Sequence, residues 1–174
     1  MLTKFFGWVD ILLIVLLALS LTYCNGSPSV IKPETKYSAS LVEGMQFPRE
    51  GSPIFIKKVI GMGGREDWGR WSVDNELILE FSQPLPRKFT LEVEAKGFGP
   101  NVDKEAKIVF GKSVRYILLK AGPVTYSIPF ENEDDARRVE IIPPLPTAPN
   151  KINSQNLDFR RLGVGLISLK IKFN

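Results

Sequence analysis

With 174 residues the chain has material for one ordinary domain and a short appendage, and too little for two full domains. Its 44% hydrophobic and 24% charged content is that of a chain that folds, and the net charge of +4 is spread as K-K, R-K and R-R pairs with no basic stripe, which gives nucleic-acid binding no support. Histidine is absent, removing the commonest general base and zinc ligand, and the single cysteine, Cys24, excludes an intrachain disulfide.

Residues 1–24 read as a membrane anchor or signal segment, set apart from the fold. From Ile11 to Leu21 the run I-L-L-I-V-L-L-A-L-S-L carries no charge, with Phe5, Phe6 and Trp8 before it and Tyr23 after it, residues suited to the two membrane interfaces. Counted from Phe5 to Tyr23 it approaches the roughly 20 residues that span a bilayer, and Asp10 lies near enough to one end to reach headgroups. Three readings stay open: an uncleaved anchor, a cleaved signal peptide, and a lipoprotein signal ending at Cys24. The bulk of Tyr23, where lipoprotein signals carry a small residue, counts against the third. Residues 25–53, with Pro28, Pro33, Pro48 and Pro53 among Ser, Thr and Gly, read as a tether.

Over residues 54–174 a period of two dominates. Leu77, Leu79 and Phe81 share one face, as do Phe89, Leu91, Val93 and Ala95, with Thr90, Glu92 and Glu94 outward. Tyr126, Ile128 and Phe130 form a third set, Val139 and Ile141 a fourth, and Ile167, Leu169, Ile171 and Phe173 the last. I-F-I-K-K-V-I, A-K-I-V-F and V-R-Y-I-L-L bring the count to about eight strands, separated by Pro- and Gly-rich turns and with no convincing amphipathic helix. Such strands satisfy two packed antiparallel sheets, so the expected fold is all-β: a β-sandwich of jelly-roll type, with an open barrel as the alternative.

Catalytic machinery is not legible. Among the sequence patterns there is no G-x-x-x-x-G-K-S and no G-x-S-x-G. G-M-G-G, residues 61–64, precedes no helix and reads as a flexible connection; Glu131, Glu133, Asp134 and Asp135 read as a solvated hairpin tip before they read as paired catalytic carboxylates. The expectation is therefore a protein that is no enzyme and needs no cofactor or metal.

The segment R-E-D-W-G-R-W-S puts two of the three tryptophans within four positions. Residues three apart on a regular strand face opposite ways, so Trp68 and Trp71 share a side only if Gly69 marks a turn or bulge. The functional reading is a sugar ring stacked on one or both indoles with Glu66, Asp67 and Arg70 bonding its hydroxyls; the plainer one is that Trp71 plugs the sandwich end and Trp68 packs under a loop. Asn101 in G-F-G-P-N is a candidate ligand contact or a turn residue bonding its own backbone. The prolines of I-I-P-P-L-P must leave the sheet. In D-F-R-R-L-G-V-G-L, Arg160 and Arg161 offer planar donors to a phosphate or to Asp158 and Glu66, and Gly163 and Gly165 allow close backbone approach.

E-D-W-G-R-W-S, F-S-Q-P-L-P-R-K-F-T-L, A-K-G-F-G-P-N, E-I-I-P-P-L-P and F-R-R-L-G-V-G-L follow one another, from about Met45 to Lys172, in a way that resembles the carboxy-terminal domain of the bacterial phosphoglycerol transferase I family. That family consists of inner-membrane proteins that decorate osmoregulated periplasmic glucans with phosphoglycerol, and its catalytic domain is a large sulfatase-like unit with no counterpart in these residues. The resemblance implies a membrane-tethered periplasmic accessory module. The expected partner is a glucan or related polysaccharide held by Glu66, Trp68, Arg70, Trp71, Asn101, Arg160 and Arg161; the alternatives are docking onto a separately encoded glucan-modifying enzyme and, behind it, a remnant transferase.

Overall fold

Alternation of apolar and polar side chains keeps the backbone extended and buries one row of residues against a second layer. The computed structural model describes residues 35–173, and strands fill most of them. In chain order they are β1 (Lys36–Tyr37), β2 (Met45–Gln46), β3 (Ser52–Pro53), β4 (Ile56–Ile60), β5 (Met62–Glu66), β6 (Gly69–Val73), β7 (Leu77–Phe81), β8 (Lys88–Gly97), β9 (Glu105–Phe110), β10 (Ser113–Leu118), β11 (Val124–Glu131), β12 (Arg138–Ile142) and β13 (Leu162–Phe173). A 3-10 turn spans Gly99–Asn101, and a one-turn helix, α1, spans Pro149–Ile152. The strand count exceeds the expected eight because short dipeptide pairings and the Gly-rich segment also pair.

Two antiparallel sheets make a β-sandwich. One runs β11-β8-β13-β6-β5, with β2 also on β13; the other runs β10-β9-β12-β7-β4. The strands β6 to β13 are thus dealt between the layers, β6, β8, β11 and β13 to the first and β7, β9, β10 and β12 to the second. Between the layers Phe89 and Phe130 from the first sheet meet Phe110 from the second at centroid distances of 5.0 and 5.6 Å. Leu77, Leu79, Leu91, Val93, Ile108, Val139 and Ile141 fill the space around them and are fully buried, as the period of two predicts.

Two expectations change. The tether expected over 25–53 does not extend through its described part: β2 pairs with β13, placing Leu169 opposite Met45, and Met45 and Phe47 are sealed in the core. A proline-bearing segment resists long ladders but not burial of its apolar residues, and two bonded positions suffice to dock it. The segment G-M-G-G is no flexible link either, since Met62–Glu66 is a strand paired with β6. Residues 1–24, where the anchor is expected, lie outside the described residues, as do 25–34 of the tether. Among the described residues no helix is long and apolar enough to cross a membrane.

Candidate functional site

The first sheet buries one face in the sandwich and turns the other outward. On that outer face β13 lies between β8 and β6, and the register sets Lys96, Gly165 and Trp71 in one row across the three strands. The two-residue turn Asp67-Trp68 joins β5 to β6, with Glu66 opposite Gly69. This turn removes the parity obstacle: Trp68 is free of the strand and leans back over the row. A Cβ on Gly165 would meet Trp71 Cζ3 at 2.7 Å and Trp68 Cη2 at 2.8 Å, so both indoles rest on the bare backbone of one glycine.

The rings of Trp68 and Trp71 meet edge to face, centroids 4.8 Å apart at 67°. Trp71 meets Phe98 in the same manner, at 5.3 Å and 74°. The result is a row of three aromatic rings, each half-buried. At one border Lys96 Nζ lies over the face of Trp68, 3.5 Å from its centroid and 5.3 Å from that of Trp71, where the indole quadrupole attracts the ammonium. At the other, Glu66 Oε2 accepts a 2.8 Å hydrogen bond from Trp68 Nε1, which fixes the orientation of that ring.

Arg160 approaches from the loop before β13. Asp158 grips it through Nε at 3.0 Å and Nη2 at 2.6 Å, and this bonding holds the carboxyl below, and the guanidinium above, their usual values; the Glu66 charge adds to the latter. Arg160 Nη1 lies beside Gly63 of β5. Glu66, Trp68 and Trp71 are therefore assembled, with Arg160 at their margin but committed to Asp158.

Three of the expected contacts are elsewhere. Arg70 neighbours Trp71 on β6 and so points to the opposite face. There its Nε and Nη2 donate to the carbonyls of Phe47 and Arg49 at 3.0 and 3.1 Å, holding the segment before β3 in place, so it is no edge group for a sugar on the indoles. Asn101 is fully buried, and its amide donates to the carbonyls of Phe98 and Leu145 and accepts from Leu145 N–H. It laces the 3-10 turn to the proline-rich strap and leaves no group for a ligand. Arg161 lies by the strap, donating from Nε to the Pro146 carbonyl at 3.3 Å.

Sequence reasoning missed Lys96 and Phe98. The signal was present, since Glu92, Glu94, Lys96 and Phe98 continue one outward row past Ala95, and an aromatic residue on a polar face departs from that pattern. The acidic tip carries ion pairs of Lys112 with Asp134 at 2.9 Å and Lys88 with Glu131 at 3.6 Å. Among the described residues no group of three acidic or cysteine side chains is placed to hold a metal ion. The assembled surface offers flat apolar rings between an ammonium and a carboxylate, a chemistry of binding.

Residues 29–173 match the family model described as a domain of unknown function, DUF7024. The chain belongs to that family. It is similar to phosphoglycerol transferase I of Citrobacter koseri, 30% identical over 145 residues, and to that of Escherichia fergusonii, 31% identical over 145 residues. Each match covers 82% of this chain and 19% of the relative, in the carboxy-terminal portion without the catalytic part. The chain thus spans about a fifth of the length of these curated relatives. A solved structure of a point mutant of CBM29-2, a family 29 carbohydrate-binding module, shares the fold with a TM-score of 0.50 at 10% identity, over 75% of this chain and 89% of the other.

Proposed function

We propose that this DUF7024 domain is a non-catalytic module that binds glucan or a related polysaccharide on the row Trp68, Trp71 and Phe98. In this reading residues 1–24 tether it to the bacterial inner membrane, the sandwich stands in the periplasm, and the module serves phosphoglycerol or glucan modification carried out by another domain or protein. The observation that carries the reading is the placement of the three rings: they lie on the outer face of a sheet, half-exposed, braced by Glu66 and Lys96. Stacking of a sugar's C–H face on such rings removes apolar area from water, while the Glu66 carboxylate and Lys96 ammonium can bond hydroxyls at the ring's edge. The jelly-roll wiring of β6 to β13, the carbohydrate-binding-module neighbour and the relatives named for phosphoglycerol transfer all agree with it.

The test is calorimetric titration of the full chain, in detergent, with soluble β-glucan oligosaccharides. Saturable binding is expected, and Trp68→Ala should weaken it at least about tenfold, a loss of about 1.4 kcal/mol. Trp68 sits in a turn, so its removal leaves the sheets intact. No binding, together with co-purification of a glucan-modifying enzyme through the same face, would replace this reading with protein docking.

A further inference from the structure

Between β12 and β13 the chain leaves the sheets for a strap, residues 143–148, then α1 and a return loop, 153–161. Two hollows open along this excursion, of about 370 and about 440 Å3. Pro146, Thr147 and Arg161 border both, and the larger hollow is a groove that adds Asn150, Lys151 and Phe159 to Arg161. None of the residues of the aromatic row lines it.

Its chemistry is one-sided. No carboxylate lines either hollow, whereas Arg161 and Lys151 supply two cations. Arg161 spends only Nε on the Pro146 carbonyl, and its two Nη groups have no acceptor among the described residues. The neighbouring carboxylate of Asp158 is consumed by Arg160. Asn150 stands on the wall with Oδ1 shut off from water and accepting no hydrogen bond. A donor brought into the groove lets that amide rotate toward it and end its isolation. Phe159 completes the set: its side chain lies on the rim at 71% exposure, an unusual position for a large apolar side chain. It is bracketed by the clamped pair Asp158 and Arg160, which ties down the backbone on both sides and leaves the ring at the rim.

We propose that this groove binds an anionic saccharide, a sugar bearing phosphate or carboxylate, with the anion on Arg161 and Lys151, a hydroxyl on Asn150 and the ring face on Phe159. The guanidinium fork matches either anion in a bidentate manner, and the apolar ring selects a sugar over a bare ion. This site is independent of the glucan reading of the aromatic row.

The test uses the 15N-labelled full chain in detergent, titrated with glucose 6-phosphate, glucuronate, glucose and inorganic phosphate. Either acidic sugar should bind saturably and move the Asn150 side-chain amide signals, at least tenfold more tightly than glucose or phosphate, and whichever binds names the anion. Arg161→Gln and Phe159→Ala, both at exposed positions, should each weaken it at least fivefold, while Trp68→Ala leaves it unchanged. The proposal is overturned if neither acidic sugar binds at millimolar concentration, if inorganic phosphate binds as well as they do, or if Arg161→Gln binds them as the parent does.

Discussion

One missing methyl group at Gly165 lets two indoles lie together. Any Cβ there would press on both rings at under 3 Å, and the rings cannot retreat inward because the backbone of β13 is beneath them. Gly165→Ala should therefore displace the pair outward, costing about 1–3 kcal/mol of stability as overpacking does, and should red-shift tryptophan emission; urea unfolding followed by fluorescence measures both. A second residue-scale prediction concerns the Asp158–Arg160 clamp. Arg160 holds the folded carboxyl of Asp158 below its usual value, so the clamp's contribution is present above the unfolded carboxylate value of about 3.9 and is lost as pH falls through the lower folded value. Protection factors in residues 153–161, taken against the intrinsic exchange rate at each pH, should fall on acidification below about pH 4, and in Asp158→Asn they should be low throughout. Arg160 contributes no titration in the accessible range, since its guanidinium is raised from a value that is already high.

At the scale of elements, the described part of the segment expected as a tether is docked on the sandwich, where β2 pairs with β13. Phe47 is fully buried and its carbonyl receives Arg70, so Phe47→Ala should cost about 3–5 kcal/mol; at a free tether position the same change would cost nothing, and denaturant midpoints distinguish the two. This element was not legible because the two paired residues of β2 display no period. Where strands are long and regular, reading was straightforward: Leu77 to Phe81 and Phe89 to Ala95 face inward as their alternation requires. Where a strand is bulged, alternation misleads. The register of β13 against β8 shifts between Leu166 and Ser168, so Val164 and Leu166 are buried before the shift and Leu169 and Ile171 after it, while Ile167, expected inward, is half-exposed. Phe173, at the strand's end, is exposed. The candidate site shows the same division. Trp68, Trp71 and Glu66 stood out by composition, but the row they join is set by register across β8, β13 and β6, which places Lys96 beside them and sends Arg70 to the far side. Residues adjacent in sequence were separated by parity, and residues far apart along the chain were joined by pairing.

For the whole molecule, two sheets meeting in a phenylalanine-rich core form a rigid support, and the features open to solvent are what such a support can present. The aromatic row lies on the outside of one sheet, and the groove lies along the strap that Asn101 ties to the 3-10 turn. Asn101→Ala should consequently lower stability by about 1–3 kcal/mol, through orphaned groups at Leu145 and Phe98, without altering the affinity of the aromatic row for glucan. The central claim is that row's recognition of sugar. It is tested most directly by 15N indole spectra of the Trp8→Phe full chain during titration with β-glucan oligosaccharide. The account predicts that the two remaining indole signals, Trp68 and Trp71, move together along one saturating curve; signals that stay fixed through the titration, whether or not glucan binds elsewhere, would contradict it.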